Sequence, residues 1–123
     1  MQQGDNQKRE VADEGAEVIA TEVIHRVMSG TKELRVSGRT NVQNLAWSIV
    51  QTFADEKRKV TLVAIGTAAV NQAVKAVAVA NSRAASHGVI FTALPAMLDI
   101  EIEDNGAKVE RTVLKLILVP YSW

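Results

Sequence analysis

Cysteine is absent from this chain. That absence excludes a disulfide framework, a thiolate zinc site and a thiol nucleophile, and with them several small zinc-stabilised folds that bind nucleic acid. Aromatic residues amount to only 4%, so any core has to be built from aliphatic side chains. Long apolar runs are also missing, since none approaches the roughly 18 residues of a membrane span. The polar N-terminus MQQGDNQKRE has no apolar centre of the kind a signal peptide needs. The expectation is a cytoplasmic protein with no membrane association. Neither sign of charge is in excess, with 14 basic against 14 acidic residues. The strongly basic balance that would by itself announce a nucleic-acid binder is therefore lacking.

What is present is enough for one modest domain: 123 residues, 47% of them hydrophobic. The charges are unevenly spread. Residues 1 to 30 hold three basic and six acidic groups, while 31 to 123 hold eleven basic and eight acidic, so the second part is mildly cationic. Its most informative segment is GTAAVNQAVKAVAVANSR, Gly66 to Arg83, which carries Ala and Val around the whole circumference of a helix. A surface helix needs one apolar stripe; this one has Val70, Val74 and Val77 on one side and Ala76, Ala78 and Val79 on others. Such a rod needs two apolar neighbours, its own sheet and a further surface such as a partner chain.

The remaining elements follow from periodicity. Residues 8 to 28 read as a helix, with Ala12, Ala16, Ile19, Ala20, Val23 and Val27 on one stripe and Ser29-Gly30 ending it. KELRVSG alternates as a half-buried strand, with Leu34 and Val36 on the inner side. Thr40 and Gln43 match a capping box, after which Val42, Leu45, Ala46, Ile49 and Phe53 line one helix face as far as Lys57-Arg58-Lys59, a triplet suited to the negative end of the helix dipole. VTLVAIG fits a buried central strand released into the Ala/Val helix by Gly66. Residues from Val89 onward alternate, with Pro95 marking an edge, a bulge or a break. Asp104-Asn105-Gly106 then turns the chain into a return strand from Lys108 to Val119. The order after the first helix is β-α-β-α-β-β.

This order, together with AIGTAAVNQAVKAVAVA, resembles the Stage V sporulation protein S family, small relatives of the Alba nucleic-acid-binding proteins. LRVSGRTNVQNLAWSIV matches the family's first strand, loop and helix, and LPAMLDIEI with RTVLKLILVP its closing hairpin. The resemblance spans about residues 32 to 120 and implies an α/β (α+β) sandwich, Alba-like, with a four-stranded mixed sheet and two helices on one face. The added helix divides the chain into an N-terminal extension, residues 1–30, and an Alba-like domain, residues 31–123. The resemblance further implies a homodimer that binds DNA or RNA through basic loops and the hairpin, and a role in regulating sporulation.

On that resemblance, Arg39, Thr40 and Asn41 stand where Alba-like proteins set basic residues against phosphates, and a helix N-terminus beside a cation is a sound anion site. A plain helix cap with a solvated arginine accounts for the same residues. Asn71, Lys75 and Ser82 share one side of the Ala/Val helix, with Gln72 and Arg83 on a neighbouring stripe. Asn71 and Gln72 suit the dimer interface in preference to nucleic-acid contact, which the same residues could also make; Val79 is assigned to the interface, Arg83 to nucleic acid, and Lys75 suits either. Lys108, Arg111 and Lys115 give the hairpin a route to a groove or a strand of RNA, yet Asp99, Glu101 and Glu103 form an acidic row beside them, and a charged, solvated edge explains the row equally well. Trp47 either stacks on a base or packs against the N-terminal helix. His25 and His87 have no nucleophile or carboxylate at catalytic spacing, and nothing else resembles an active site. No metal, cofactor or small-molecule substrate is expected. The rival reading is a protein-interaction or oligomeric scaffold that keeps the fold without the nucleic acid.

Overall fold

The structure, a computed structural model, describes residues 22–122. Residues 22–28 are helical, and the Ser29 and Thr31 amides close the helix by donating to the carbonyls of Arg26 (3.2 Å) and Met28 (3.0 Å). The rest of the helix expected over residues 8 to 28 lies outside the described residues. There follow β1 (Lys32–Val36), α1 (Val42–Asp55), β2 (Val60–Ala64), α2 (Thr67–Ala84), a short 3-10 turn (Ala85–His87), β3 (Val89–Asp104) and β4 (Ala107–Ser122). The strands form one mixed sheet in the order β1-β2-β4-β3. β1 and β2 are parallel; β4 runs antiparallel to both of its neighbours. The α+β sandwich expected from the resemblance is therefore the fold observed.

Both helices cover one face of the sheet. α1 buries Leu45, Ala46, Ile49 and Thr52, a stripe of helical spacing, against Val36, Leu62, Leu116 and Leu118 of the sheet. α2 turns an alanine face inward, with Ala69, Ala73, Ala76, Ala80 and Ala84 all buried. Methyl-sized side chains let a helix lie close to its neighbours, so an Ala face gives short approaches, and Val77 is the one larger side chain buried with it. The aromatic content at this layer is one edge-to-face pair, Phe53 and Phe91, with ring centroids 5.4 Å apart.

Two expectations are sharpened. Pro95 neither breaks nor bulges its strand: β3 is continuous from Val89 to Asp104, and Pro95 is tolerated because β3 is an edge, where a missing N–H removes no ladder bond to a further strand. The capping box is not formed. Asn41 is the N-cap of α1, its side chain accepting from the Asn44 amide at 2.9 Å. Thr40 is unavailable for that role because its hydroxyl already accepts the Ser37 amide at 2.8 Å, and the Gln43 side chain accepts from Arg83 at 2.6 Å instead of reaching back to the cap.

One side chain fastens α2 to the outer strand. The Asn81 amide group donates to the Phe91 carbonyl at 3.1 Å, and its carbonyl accepts the Phe91 N–H at 2.6 Å. β3 is an edge strand, so Asn81 supplies the Phe91 N–H and C=O with the partners that a further strand would give. Asn81→Ala leaves a part-buried N–H and C=O without partners at once, and because water reaches both in part the two together cost about what one fully buried unsatisfied group does, about 1–3 kcal/mol. The expected result is a loss of about 1–3 kcal/mol in urea unfolding with an unchanged m-value; a midpoint equal to that of the intact protein would show that the clamp carries no stability.

Candidate nucleic-acid interface

Because β1 and β2 are parallel neighbours, the segments that leave their carboxyl ends emerge side by side, the place where open α/β sheets commonly bind ligands. After β1 comes the loop of residues 37–41. After β2 come Ile65 and Gly66, then α2. The loop is held as a tight turn: the Thr40 amide donates to the Ser37 carbonyl at 3.1 Å, and the Arg39 amide donates to the Ser37 hydroxyl at 3.2 Å. With the backbone tied down, Arg39 projects into solvent.

The loop is seated on the start of α2. A Cβ placed on Gly38 would lie 2.8 Å from the Ala68 Cβ, closer than carbon atoms pack, so a glycine is required where the turn crosses the helix. Gln72 completes the contact by donating from Nε2 to the Thr40 carbonyl at 2.9 Å. Gly66, at φ +91°, begins α2 without any side-chain cap. The first-turn amides of α2 therefore lie beside the Arg39 turn with no described side chain satisfying them, an arrangement that favours an anion through both N–H donors and helix dipole.

The other residues singled out from sequence are distributed around this locus. Asn41 is exposed, and Lys75 is exposed on the same helix as Asn71, one turn further along. Arg83 crosses to α1, donating to the Gln43 side chain at 2.6 Å and to its backbone carbonyl at 3.3 Å. Gln72 is engaged within its own chain, Asn71 is exposed, and Val79 is partly buried against the core. Trp47 stands 58% exposed on α1, and the stripe expected to cover it lies mostly outside the described residues.

Lys108 and Arg111 lie elsewhere, on an arm. β2 pairs with β4 only as far as Ala64↔Leu114, whereas the β3–β4 ladder continues from Leu98↔Val113 to Asp104↔Ala107. Those seven pairs extend about 20 Å at some 3.3 Å per residue. Asn105 and Gly106 close the arm with positive φ of 52° and 79°, the backbone of the expected two-residue hairpin turn. Between Met97 and Val113 the arm carries five carboxylates and two cations. Glu101 faces Glu110 directly, Glu103 faces Lys108, and Arg111 reaches Asp104 only at 3.9 Å. Lys115, within the sheet opposite Val63, is bound to Glu33 at 2.8 Å.

An apolar groove completes the surface. Val74 and Ala78 of α2, Ala93 and Pro95 of β3, and Leu116 border a depression of about 410 Å³. Val74 is 55% exposed beside it and Met97, further along β3, 71%. Of the α2 valines, Val74 alone is open; Val77 is buried and Val70 and Val79 are partly buried against the core, so the second apolar neighbour expected for the helix is called for only around Val74. No group of three or more described His, Cys, Asp or Glu is placed to hold a metal ion, and no described helix is long and apolar enough to cross a membrane.

Sheet order, paired helices and projecting hairpin define the Alba-like class. A solved structure of Alba from Thermoplasma volcanium superposes with a TM-score of 0.54 at 11% identity, covering 71% of this chain and 98% of that one. With that fold, the chain also matches the family model for Stage V sporulation protein S over residues 32–121, so it belongs to the Stage V sporulation protein S family.

The seat of the turn can be tested directly. Gly38→Ala should displace residues 37–41 from α2, cost about 1–3 kcal/mol as overpacking does, and move the amide resonances of Arg39, Asn41 and Gln72. Adding Ala68→Gly should return those resonances toward their original positions. Unperturbed amides in the single variant would mean that the close approach does not fix the loop.

Proposed function

We propose that this chain is a non-catalytic, dimeric nucleic-acid-binding protein of the cytoplasm with a regulatory or architectural role, in which residues 31–123 bind and residues 1–30 form an added helical extension. The observation that carries the reading is the exposed Arg39 on a braced turn beside the uncapped amino end of α2. Phosphates meet there a fixed cation and a set of N–H donors, and Thr40, Asn41 and Lys75 extend that cationic and polar edge. Among the described residues no helix is presented for reading base edges, so binding to DNA or RNA is mostly electrostatic and weakly sequence-specific. Arg83, held by Gln43, and Lys108 and Arg111, set among carboxylates, contribute less than Arg39.

A second copy of the chain is the proposed occupant of the apolar groove. Asn71 lies one turn before Val74 on α2 and Val79 follows further along the helix, while Gln72 braces the interface from behind through Thr40. Pairing two copies would bring two Arg39 turns onto one polyanion. The acidic arm favours one other reading, a scaffold that binds proteins and no nucleic acid.

A salt series with duplex DNA and with single-stranded RNA tests the principal reading. Affinity should fall steeply with salt, and Arg39→Ala should weaken binding and reduce the slope of log K on log salt by about one, the signature of a lost phosphate contact. Absence of binding to either polymer at low salt would overturn it in favour of the scaffold. For the dimer, light scattering should give twice the chain mass, and Val74→Arg should give the monomer without lowering intrinsic phosphate attraction. A monomeric intact protein, or a dimer unaffected by Val74→Arg, rejects the groove as the interface.

A further inference from the structure

A second cationic locus lies at the opposite end of the sheet from Arg39. Residues 29–31 enter β1 at its amino end, and the parallel strand β2 brings Lys57, Arg58 and Lys59 to that same end. The two segments are knotted together. The Lys32 amide donates to the Lys59 carbonyl at 2.8 Å, and the Arg58 guanidinium donates to the Gly30 and Thr31 carbonyls, each at 3.3 Å. Thr31 is anchored further by a 2.8 Å hydroxyl contact with the buried Thr61.

Around this knot is a cleft of about 350 Å³ whose charged lining is Arg26, Lys57, Arg58 and Lys59, joined by the backbone of residues 29–31. That volume falls at the small end of the range of about 300–1,000 Å³ typical of small-molecule clefts. None of the described lining groups is a carboxylate. The neighbouring acid Glu56 is bound to Lys32 at 3.0 Å, and Arg26, Lys57 and Lys59 form no ion pair with a described residue. Arg58 caps the two carbonyls that would otherwise repel an anion, and its other guanidinium N–H groups bond to no described residue.

The backbone adds to the case for this cleft. Lys57 has a φ of +55°, the left-handed conformation in which a helix commonly ends on glycine. A side chain there costs on the order of 1 kcal/mol, and the one present places a cation at the cleft.

We infer that this cleft is an oxyanion site for phosphoryl groups, separate from the Arg39 turn and not dependent on it. Arginine supplies directed N–H donors and lysine compact charge, and an entering phosphate relieves the mutual repulsion of four cations gathered around one space. The phosphoryl group has two sources with one chemistry, the backbone of a bound nucleic acid or a free polyphosphate.

The experiment uses the full chain and inorganic tripolyphosphate as probe, followed by amide chemical shifts. The comparison is a triple variant, Arg26→Gln with Lys57→Asn and Lys59→Gln, which keeps Arg58 and its backbone bonds and uses asparagine's tolerance of left-handed φ. Arg35→Gln, on the exposed side of β1, controls for removal of charge alone. Saturable shifts at Gly30, Thr31 and Lys57, with affinity lowered about tenfold or more in the triple variant and hardly at all in Arg35→Gln, support the site, since tenfold corresponds to about 1.4 kcal/mol of lost charge-assisted bonding. Repeating the series with duplex DNA assigns the source: loss of affinity for both probes marks backbone phosphate, and loss for tripolyphosphate alone marks a free anion. Shifts centred elsewhere, or equal tripolyphosphate affinity in the triple variant, overturn the inference. Neither result depends on Arg39→Ala, so failure here and failure of the nucleic-acid reading are told apart.

Discussion

The inner face of α2 is alanine at almost every position that touches the sheet or α1, and the remaining contacts of the domain follow from how close that allows the helix to come. Ala68 accepts the Gly38 turn with no room for a methyl group. Gln72, Asn81 and Arg83 then reach three different elements, the Thr40 carbonyl, the edge strand at Phe91 and the Gln43 side chain. Hydrogen bonds between separate elements require the elements to be within a side chain's length. Larger residues on that face would lift the helix, and all three would part together. The helix therefore serves as a brace, and the braced turn is what holds Arg39 at a defined place.

Separation of charge, more than its amount, gives the domain its character. A chain with no net charge sets Arg39 at the carboxyl ends of the parallel strands, gathers Arg26, Lys57, Arg58 and Lys59 at the other end, and concentrates carboxylates on the β3–β4 arm. Screening at physiological salt confines each patch to roughly 8 Å, so a ligand meets the local patch and not the neutral total. On the proposed reading the acidic arm turns a polyanion away from the hairpin tip, and a charged row of this kind also disfavours pairing of a long two-stranded edge with other chains.

Much of the fold could be read along the chain because its signals are local. Leu34 and Val36 alternate with polar neighbours, VTLVA is a continuous buried strand, and Asn105-Gly106 supplies positive φ where a hairpin needs it. Where two local signals competed, sequence reading chose wrongly. Thr40 and Gln43 have the spacing of a capping box, but Ser37 takes the Thr40 hydroxyl and Arg83, forty residues away, takes Gln43. Asn81 carried no signal, since an asparagine near a helix end is ordinary and its partner is an edge strand ten residues on. The Lys57-Arg58-Lys59 triplet read as a helix-dipole complement; α1 in fact ends at Asp55, and the triplet turns toward residues 26–31.

Composition and periodicity by themselves determined the β-α-β-α-β-β order, the aliphatic core and the lack of any cysteine chemistry. These are consequences of residue type and of spacings within a few positions, which the chain carries whether folded or not. Tertiary structure alone decided which side of that helix stays open, that Gly38 is required by a neighbour thirty residues distant, and that cations from residues 26 and 57–59 share one cleft. Each of those depends on segments brought together by the parallel pairing of β1 with β2, and no local pattern encodes the distance between groups that meet only when the sheet has formed.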